Sequence, residues 1–124
     1  MSAASRVLIV EDDDELREFM RTAVSDAGYE VVAVADGEAA LAACRRGDPD
    51  VILLDLGLPR LDGESFVREY RRLPESGGKI IVISGTPTAG EIAGRVHARV
   101  FLSKPFELSR LLDLLRATVD AADN

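Results

Sequence analysis

The chain has 124 residues, of which 47% are hydrophobic, enough apolar material for the core of one compact domain over residues 1–124. Its 22 acidic residues outnumber its 15 basic residues, and the net charge of −7 opposes direct binding to nucleic-acid phosphates. No apolar run approaches the roughly 20 residues that cross a bilayer, and the N-terminus has no apolar signal-peptide core. We therefore expect a cytoplasmic protein that binds neither nucleic acid nor membrane.

Along the chain, short apolar runs alternate with helix-period segments. The runs are residues 7–10, 29–35, 51–55, 79–84 and 99–103, and the helical segments are residues 15–28, 37–47, 64–73, 86–98 and 107–122. Uninterrupted apolar runs are typical of strands buried on both faces, and strict alternation with helices indicates parallel strands joined by crossovers. The pattern predicts a flavodoxin-like, doubly wound α/β fold: a five-stranded parallel sheet in the order 2-1-3-4-5 with five helices.

Local signals refine the helices. Asp36 and Asp62 are predicted N-caps, and Gly28 and Gly47 are predicted left-handed C-terminal caps. The first helix is expected to bury one apolar face, formed by Leu16, Phe19, Met20 and Val24. The fourth helical segment contains two glycines, each of which costs about 1 kcal/mol relative to alanine, so it should be short. Cys44, the only cysteine, lies on an apolar stripe and should be an inert core thiol.

Five consecutive acids, Glu11–Glu15, follow the first strand. Favourable interaction with a helix dipole suffices for the last three, but Glu11 and Asp12 precede the helix at the carboxyl end of the strand. Asp55 ends the third strand, which the predicted order places beside the first. A cluster of three carboxylates is unfavourable unless an acid is protonated or a cation is bound, and oxygen ligands of this kind suit Mg²⁺.

Two further strand ends add a hydroxyl and a cation. Ser84 closes the fourth strand, and Lys104, one of only two lysines, follows the fifth. Taken singly, Ser84 has the alternative of capping a turn and Lys104 that of a solvated surface charge. Together with the acids after the first and third strands, they form a constellation suited to phosphate and metal at one edge of the sheet.

The sequence resembles the receiver domains of two-component response regulators. The resemblance runs from VLIVEDDDELR (7–17) through VILLDLGLPRLDG (51–63) and VISGT (82–86) to VFLSKPF (100–106). It implies that Asp55 accepts a phosphoryl group from the phosphohistidine of a histidine kinase or phosphotransfer protein. It also implies a Mg²⁺ site in which Asp12, Asp55 and the Gly57 carbonyl are direct ligands and Glu11 acts through water.

The resemblance assigns the remaining site residues as well. Ser84 matches a switch hydroxyl, Lys104 the lysine that contacts the phosphoryl group, and Phe101 an aromatic switch, with Lys104–Pro105 a candidate cis bond. Because Phe101 lacks the hydroxyl of a tyrosine, we expect its inward population to be appreciable before phosphorylation. His97 and Ala98 depart from the family pattern, which has a Gly-Ala pair there.

The implied activity is signalling rather than enzymatic, since such a domain catalyses only its own phosphorylation and dephosphorylation. Output would run through the face formed by the fourth helical segment, the fifth strand and the last helix. The partner there is a downstream protein or an output domain outside this sequence, and a phosphorylation-linked dimer is an option. The kinase helices are expected against the first helix, near Leu16, Arg17 and Met20.

Two alternatives stay open. A degenerate receiver would dock partners without phosphorylation, although the presence of Asp55, Lys104, Ser84 and both early acids argues against it. A Mg²⁺-dependent phosphohydrolase of the haloacid dehalogenase type would need a second aspartate two residues after the nucleophile, and Gly57 occupies that position.

Overall fold

The computed structural model describes residues 5–56, 62–85 and 100–121. Five strands form a single parallel sheet in the order β2-β1-β3-β4-β5. Their bounds are β1 (Arg6–Val10), β2 (Glu30–Val34), β3 (Val51–Asp55), β4 (Lys79–Ser84) and β5 (Val100–Ser103). The predicted fold class and strand order are confirmed.

Helices cover both faces of this sheet. Their bounds are α1 (Asp14–Asp26), α2 (Gly37–Arg46), α3 (Gly63–Tyr70) and α4 (Leu108–Asp120), so α4 is the last of the five predicted helical segments. The fourth predicted segment, residues 86–98, lies outside the described residues. Within the described ranges, no helix is long and apolar enough to span a bilayer.

Alternation along the strands divides the core into two layers. Leu8, Ile52 and Ile80 face the layer that contains α2 and α3. Val7, Val51 and Ile81 face the layer that contains α1 and α4. Every residue of β3 is buried, as a central parallel strand requires, so its terminal Asp55 stands where the apolar interior meets the sheet edge.

The helix termini follow the predicted caps with one exception. Asp36 and Asp62 each accept a hydrogen bond from the backbone N–H three residues on, at 2.8 Å, and both N-cap predictions are confirmed. Gly28 has φ +103°, the left-handed geometry that favours glycine. Gly47, by contrast, has φ 178°, so the prediction of a left-handed cap is wrong there. A Cβ at Gly47 would lie 2.8 Å from a guanidinium nitrogen of Arg6, the far end of a flexible side chain that can shift, so neither φ nor packing requires glycine here.

The buried face of α1 is narrower than predicted. Met20 and Val24 are fully buried, but Phe19 is 52% exposed, so its assignment to the core face is wrong. At about 100° per residue, Phe19 lies about 120° around the helix from the midpoint of Met20 and Val24. An aromatic ring is therefore left on the surface of α1.

A partly buried hydrogen-bond network joins the end of α3 to two connections, α2–β3 and α3–β4, at the end of the sheet opposite the strand carboxyl termini. The Tyr70 hydroxyl donates to Asp48 Oδ1 at 2.6 Å and accepts from Gly78 N at 2.7 Å, while Gly77 N donates to Asp48 Oδ2 at 2.9 Å. Burial and the bond to Asp48 raise the pKa of Tyr70 well above its usual value, so the phenol keeps its proton. A Cβ at Gly78 would lie 2.6 Å from the hydroxyl, which excludes larger residues.

We predict that Tyr70→Phe lowers the free energy of unfolding by about 1–3 kcal/mol, because it leaves the buried Gly78 N–H and Asp48 Oδ1 without this partner. Urea denaturation at pH 7 measures the change. Tyr29→Phe is the matched control, since Tyr29 packs at the core margin and its hydroxyl makes no hydrogen bond within the described ranges. Equal, small losses for the two variants would contradict the prediction.

Candidate functional site: an acidic cluster with a lysine

The parallel sheet brings the predicted acids together. Val10 of β1 is in register with Leu54 of β3, so the residues that follow β1 lie beside Asp55. One carboxylate oxygen from each of Glu11, Asp12 and Asp55 lies within 4.8 Å of the other two. The predicted convergence of three carboxylates at one edge of the sheet is present.

Glu11 is the most deeply buried member, at 1% exposure. Its Oε2 accepts a hydrogen bond from Asp13 N at 3.1 Å, and its Oε1 lies 2.9 Å from Lys104 Nζ. Burial raises the pKa of Glu11, and the Lys104 ammonium opposes that shift. Glu11 is thus a buried carboxylate whose charge is balanced chiefly by one lysine.

Lys104 reaches the cluster from the end of β5. Its Nζ donates to Asp55 Oδ2 at 3.4 Å while it pairs with Glu11. Burial disfavours the ammonium, but its bonds and charge interactions with Glu11 and Asp55 outweigh burial and raise the pKa of Lys104. These contacts exclude the alternative that Lys104 is a solvated surface charge. The Lys104–Pro105 bond is cis, as predicted.

Ser84 and Phe101 occupy the adjoining strands. Ser84 is 2% exposed and follows Ile83, the register partner of Asp55; its carbonyl accepts from Lys104 N at 2.9 Å. Phe101 is 44% exposed, so its ring is not buried in this conformation, and the expected inward population before phosphorylation stays a prediction. The ring lies on a short strand at the sheet edge, and only part of its apolar surface is covered.

The donor set fits a divalent cation. Every candidate ligand is an oxygen, and the buried Glu11 Oε1 has a charge partner in Lys104 but no well-aligned hydrogen bond among the described residues. Asp12 is exposed, which leaves one side of the cluster open to water. These features suit Mg²⁺, which keeps several waters and takes few carboxylates. Gly57, the predicted carbonyl ligand, lies outside the described residues.

The expected kinase-facing residues on α1 need a correction. Met20 is 1% exposed and belongs to the core, so its prediction as a docking residue is wrong. Phe19 is exposed instead, because a one-residue step turns a helix by about 100°. A cavity of about 370 Å³ beside the acidic cluster is lined by Leu16, Phe19, Lys104, Pro105 and Phe106.

Arg17 has a role at the cluster that sequence analysis missed. Its Nη1 donates to the Glu11 carbonyl oxygen at 3.0 Å, and its Nη2 pairs with Asp14 Oδ1 at 2.6 Å. The spacing from Asp14 is the ordinary i,i+3 pattern of a helix and predicts the ion pair only. No feature of the sequence indicates the hydrogen bond from Arg17 to the Glu11 carbonyl, just after β1.

Comparison with known proteins agrees with this geometry. Residues 7–116 match the family model of the response regulator receiver domain. The chain belongs to that family, the receiver domains of two-component systems, which are signalling domains.

Among curated relatives, response regulator MprA of Mycobacterium sp. (strain KMS) is 34% identical over 113 residues, covering 90% of this chain and 49% of the relative. Transcriptional regulatory protein CseB of Streptomyces avermitilis is 35% identical over 121 residues, covering 96% of this chain and 51% of the relative. The chain thus spans about half the length of the curated relatives it matches.

Solved structures give the same result. Vibrio cholerae chemotaxis protein CheY4 matches with a TM-score of 0.86 and 32% identity, over 94% of this chain and 99% of that one. The receiver domain of sensor histidine kinase PA1611 from Pseudomonas aeruginosa matches with a TM-score of 0.88 and 30% identity, over 96% of this chain and all of that one. That structure is described with a magnesium ion coordinated in the active site cleft.

We predict that Asp12→Asn raises the melting temperature by a few degrees in metal-free buffer, because it relieves repulsion within the cluster without removing a contact of the side chain. Differential scanning calorimetry in EDTA measures this change. Asp113→Asn, which neutralises an exposed aspartate in α4, should have a smaller effect. Equal shifts would indicate that only net charge matters, and a lower melting temperature for Asp12→Asn would contradict the prediction.

Proposed function

We propose that this domain is a phosphorylation-dependent switch in which Asp55 accepts a phosphoryl group from a phosphohistidine. The observation that carries the proposal is the meeting of Glu11, Asp12 and Asp55 at the carboxyl edge of the sheet, with the Lys104 ammonium paired to Glu11 and Asp55. The transfer breaks the P–N bond of the phosphohistidine and forms a P–O bond to an Asp55 carboxylate oxygen, and the leaving imidazole takes up a proton.

Charge is the main obstacle to this transfer, because the incoming phosphoryl group and Asp55 are both negative. Lys104 is placed to neutralise a phosphoryl oxygen, since its Nζ already lies 3.4 Å from Asp55 Oδ2. Asp12, Asp55 and the Gly57 carbonyl would hold Mg²⁺ directly, with Glu11 acting through water. When bound, the ion supplies positive charge that offsets the repulsion between carboxylate and phosphoryl oxygens.

The signal would leave the site through Ser84 and Phe101. A phosphoryl oxygen on Asp55 offers an acceptor to the Ser84 hydroxyl, and inward movement of that hydroxyl makes room for the exposed Phe101 ring. Burial of an apolar ring is favourable by about 25 cal/mol per Å² of area covered. The local charge would thereby bias a two-state surface on β5 and its neighbours.

The partners follow from this cycle. Response regulators work with histidine kinases and output domains, and we propose a histidine kinase or phosphotransfer protein as the phosphodonor. Its histidine-bearing helices would pack against Leu16 and the exposed Phe19, where the apolar cavity opens beside Lys104. Residues 1–124 would form one receiver domain that acts on a downstream protein, an output domain or a second phosphorylated copy.

Phosphorylation with a small-molecule donor tests the proposal. Incubated with acetyl phosphate and Mg²⁺, the protein should gain one phosphoryl group by intact-mass spectrometry, because the cluster and Lys104 need no kinase to assemble. EDTA should prevent the gain, and Asp55→Asn should abolish it. Unchanged mass with Mg²⁺ present would favour the phosphorylation-independent docking module instead.

The phosphorylated form should be short-lived, with a half-life of seconds to minutes, because Gly85 beside Ser84 has no side chain to obstruct water. A Cβ at Gly85 would lie 3.7 Å from Lys104 Cβ, an ordinary contact, so Gly85→Ala should fold and lose its phosphoryl group severalfold more slowly. A quenched time course on phosphate-affinity gels measures the decay. The control is Gly77→Ala. Its Cβ would also have a neighbour at 3.7 Å, but Gly77 lies at the end of the sheet opposite the acidic cluster. A phosphoryl group that persisted for a day in the parent protein would contradict the expectation.

A further inference from the structure

Asp12 is the proposed metal ligand with the least support from its surroundings. Its side chain is exposed and makes no hydrogen bond or ion pair with the described residues, whereas Glu11 and Asp55 are both held by Lys104. A carboxylate without contacts of its own is positioned only by its backbone. The position of Asp12 therefore depends on what holds the loop between β1 and α1.

The peptide group between Glu11 and Asp12 is held from α1. A peptide bond is planar, so fixing the Glu11 carbonyl also fixes the direction in which the chain enters Asp12. Arg17 Nη1 donates to that carbonyl at 3.0 Å, and Arg17 N donates to Asp13 O at 2.8 Å. Thus the Arg17 side chain donates to the residue before Asp12, and the Arg17 backbone N–H donates to the residue after it.

The Arg17 guanidinium is itself anchored. Its Nη2 pairs with Asp14 Oδ1 at 2.6 Å, and its side chain is only 23% exposed. A planar guanidinium can contact two acceptors at once with fixed geometry, which a lysine ammonium on a flexible stem does less well. The neighbouring pair on α1, Arg21 with Glu18, has the same i,i+3 spacing, but both side chains are well exposed, and among the described residues no hydrogen bond or ion pair joins either of them to the loop.

We propose that Arg17 is a positioning residue for the divalent cation, and that it acts by holding the Glu11–Asp12 peptide so that the Asp12 carboxylate points into the cluster. This inference rests on the proposed Mg²⁺ site. Arg17 contacts neither the cation nor the phosphoryl group in this scheme. Its contribution is preorganisation of the loop, of the kind that outer contacts give to metal ligands.

The direction in which Mg²⁺ affinity changes when Arg17 is replaced distinguishes a positioning role from a purely electrostatic one. Arg17 is a positive charge close to a cation site, so removing its charge should by itself tighten Mg²⁺ binding. Loss of positioning should weaken it. Arg17→Gln therefore gives opposite results under the two explanations, and Arg17→Lys keeps the charge while losing the two-acceptor geometry.

Isothermal titration calorimetry with Mg²⁺ alone tests the inference on the full chain. We expect Arg17→Gln to raise the Mg²⁺ dissociation constant roughly tenfold, the lower end of what loss of an outer contact to a metal ligand costs. Arg17→Lys should fall between this variant and the parent protein. Arg21→Gln, the matched control, should leave affinity unchanged or slightly tighter. Unchanged or tighter binding by Arg17→Gln would overturn the inference.

Two further measurements make the outcome specific. Far-UV circular dichroism confirms that each variant is folded, and Arg17→Lys replaces Arg17→Gln in the titration if Arg17→Gln does not fold.

At saturating Mg²⁺ the phosphorylation rate of Arg17→Gln with acetyl phosphate should return to near that of the parent, because Asp55 and Lys104 are unchanged and the ion is bound. A rate that stays low at saturation would contradict a role limited to positioning. If the parent protein itself fails to bind Mg²⁺, the proposed function fails and not this inference alone.

Discussion

The Lys104 ammonium, held between the carboxylates of Glu11 and Asp55, is the interaction on which the rest of the site depends. A carboxylate buried as deeply as Glu11 costs several kcal/mol unless a counter-charge accompanies it, and a second carboxylate nearby adds repulsion. Lys104 supplies that counter-charge from the end of β5. Lys104 therefore offsets the repulsion in the cluster without a bound ion. Its ammonium also lies where an oxygen of the incoming phosphoryl group would be placed.

The sheet order is what allows three distant segments to meet in this way. In a parallel sheet all carboxyl ends lie at one edge, and the order β2-β1-β3-β4-β5 puts β1 next to β3 at the point where the winding reverses. Burial of every residue in β3 then fixes Asp55 at the boundary between core and solvent. The two-layer core is thus the scaffold that holds a charged cluster against its own repulsion.

Much of this arrangement could be predicted from sequence because it follows from periodicity and from strand ends. Continuous apolar runs marked the strands, and the acids, hydroxyl and lysine at their carboxyl ends marked the site. Three predictions failed for local reasons: the burial of Phe19, the docking role of Met20 and the left-handed cap at Gly47. Phe19 and Met20 are adjacent, and the apolar pattern alone did not show which of them lies on the narrow buried stripe of α1. Gly47 has an extended backbone that any residue adopts, so a glycine after a helix did not by itself indicate a positive φ.

The contact between Arg17 and Glu11 could not have been predicted, because arginine on a helix is ordinarily a solvated residue and a backbone carbonyl leaves no trace in sequence. The exposed Phe101 was likewise beyond reach, since its position depends on how much of its ring neighbouring elements cover. Both depend on tertiary geometry rather than on residue type.

An NMR titration of the ¹⁵N-labelled protein with Mg²⁺ is the decisive test of the proposed metal site, because it locates the ion among 22 acidic residues. We expect saturable shifts concentrated at the amides of Glu11–Asp13, Asp55 and its neighbours, Ser84 and Lys104. Shifts spread over the exposed acids of the helices, or no saturation at millimolar metal, would contradict it.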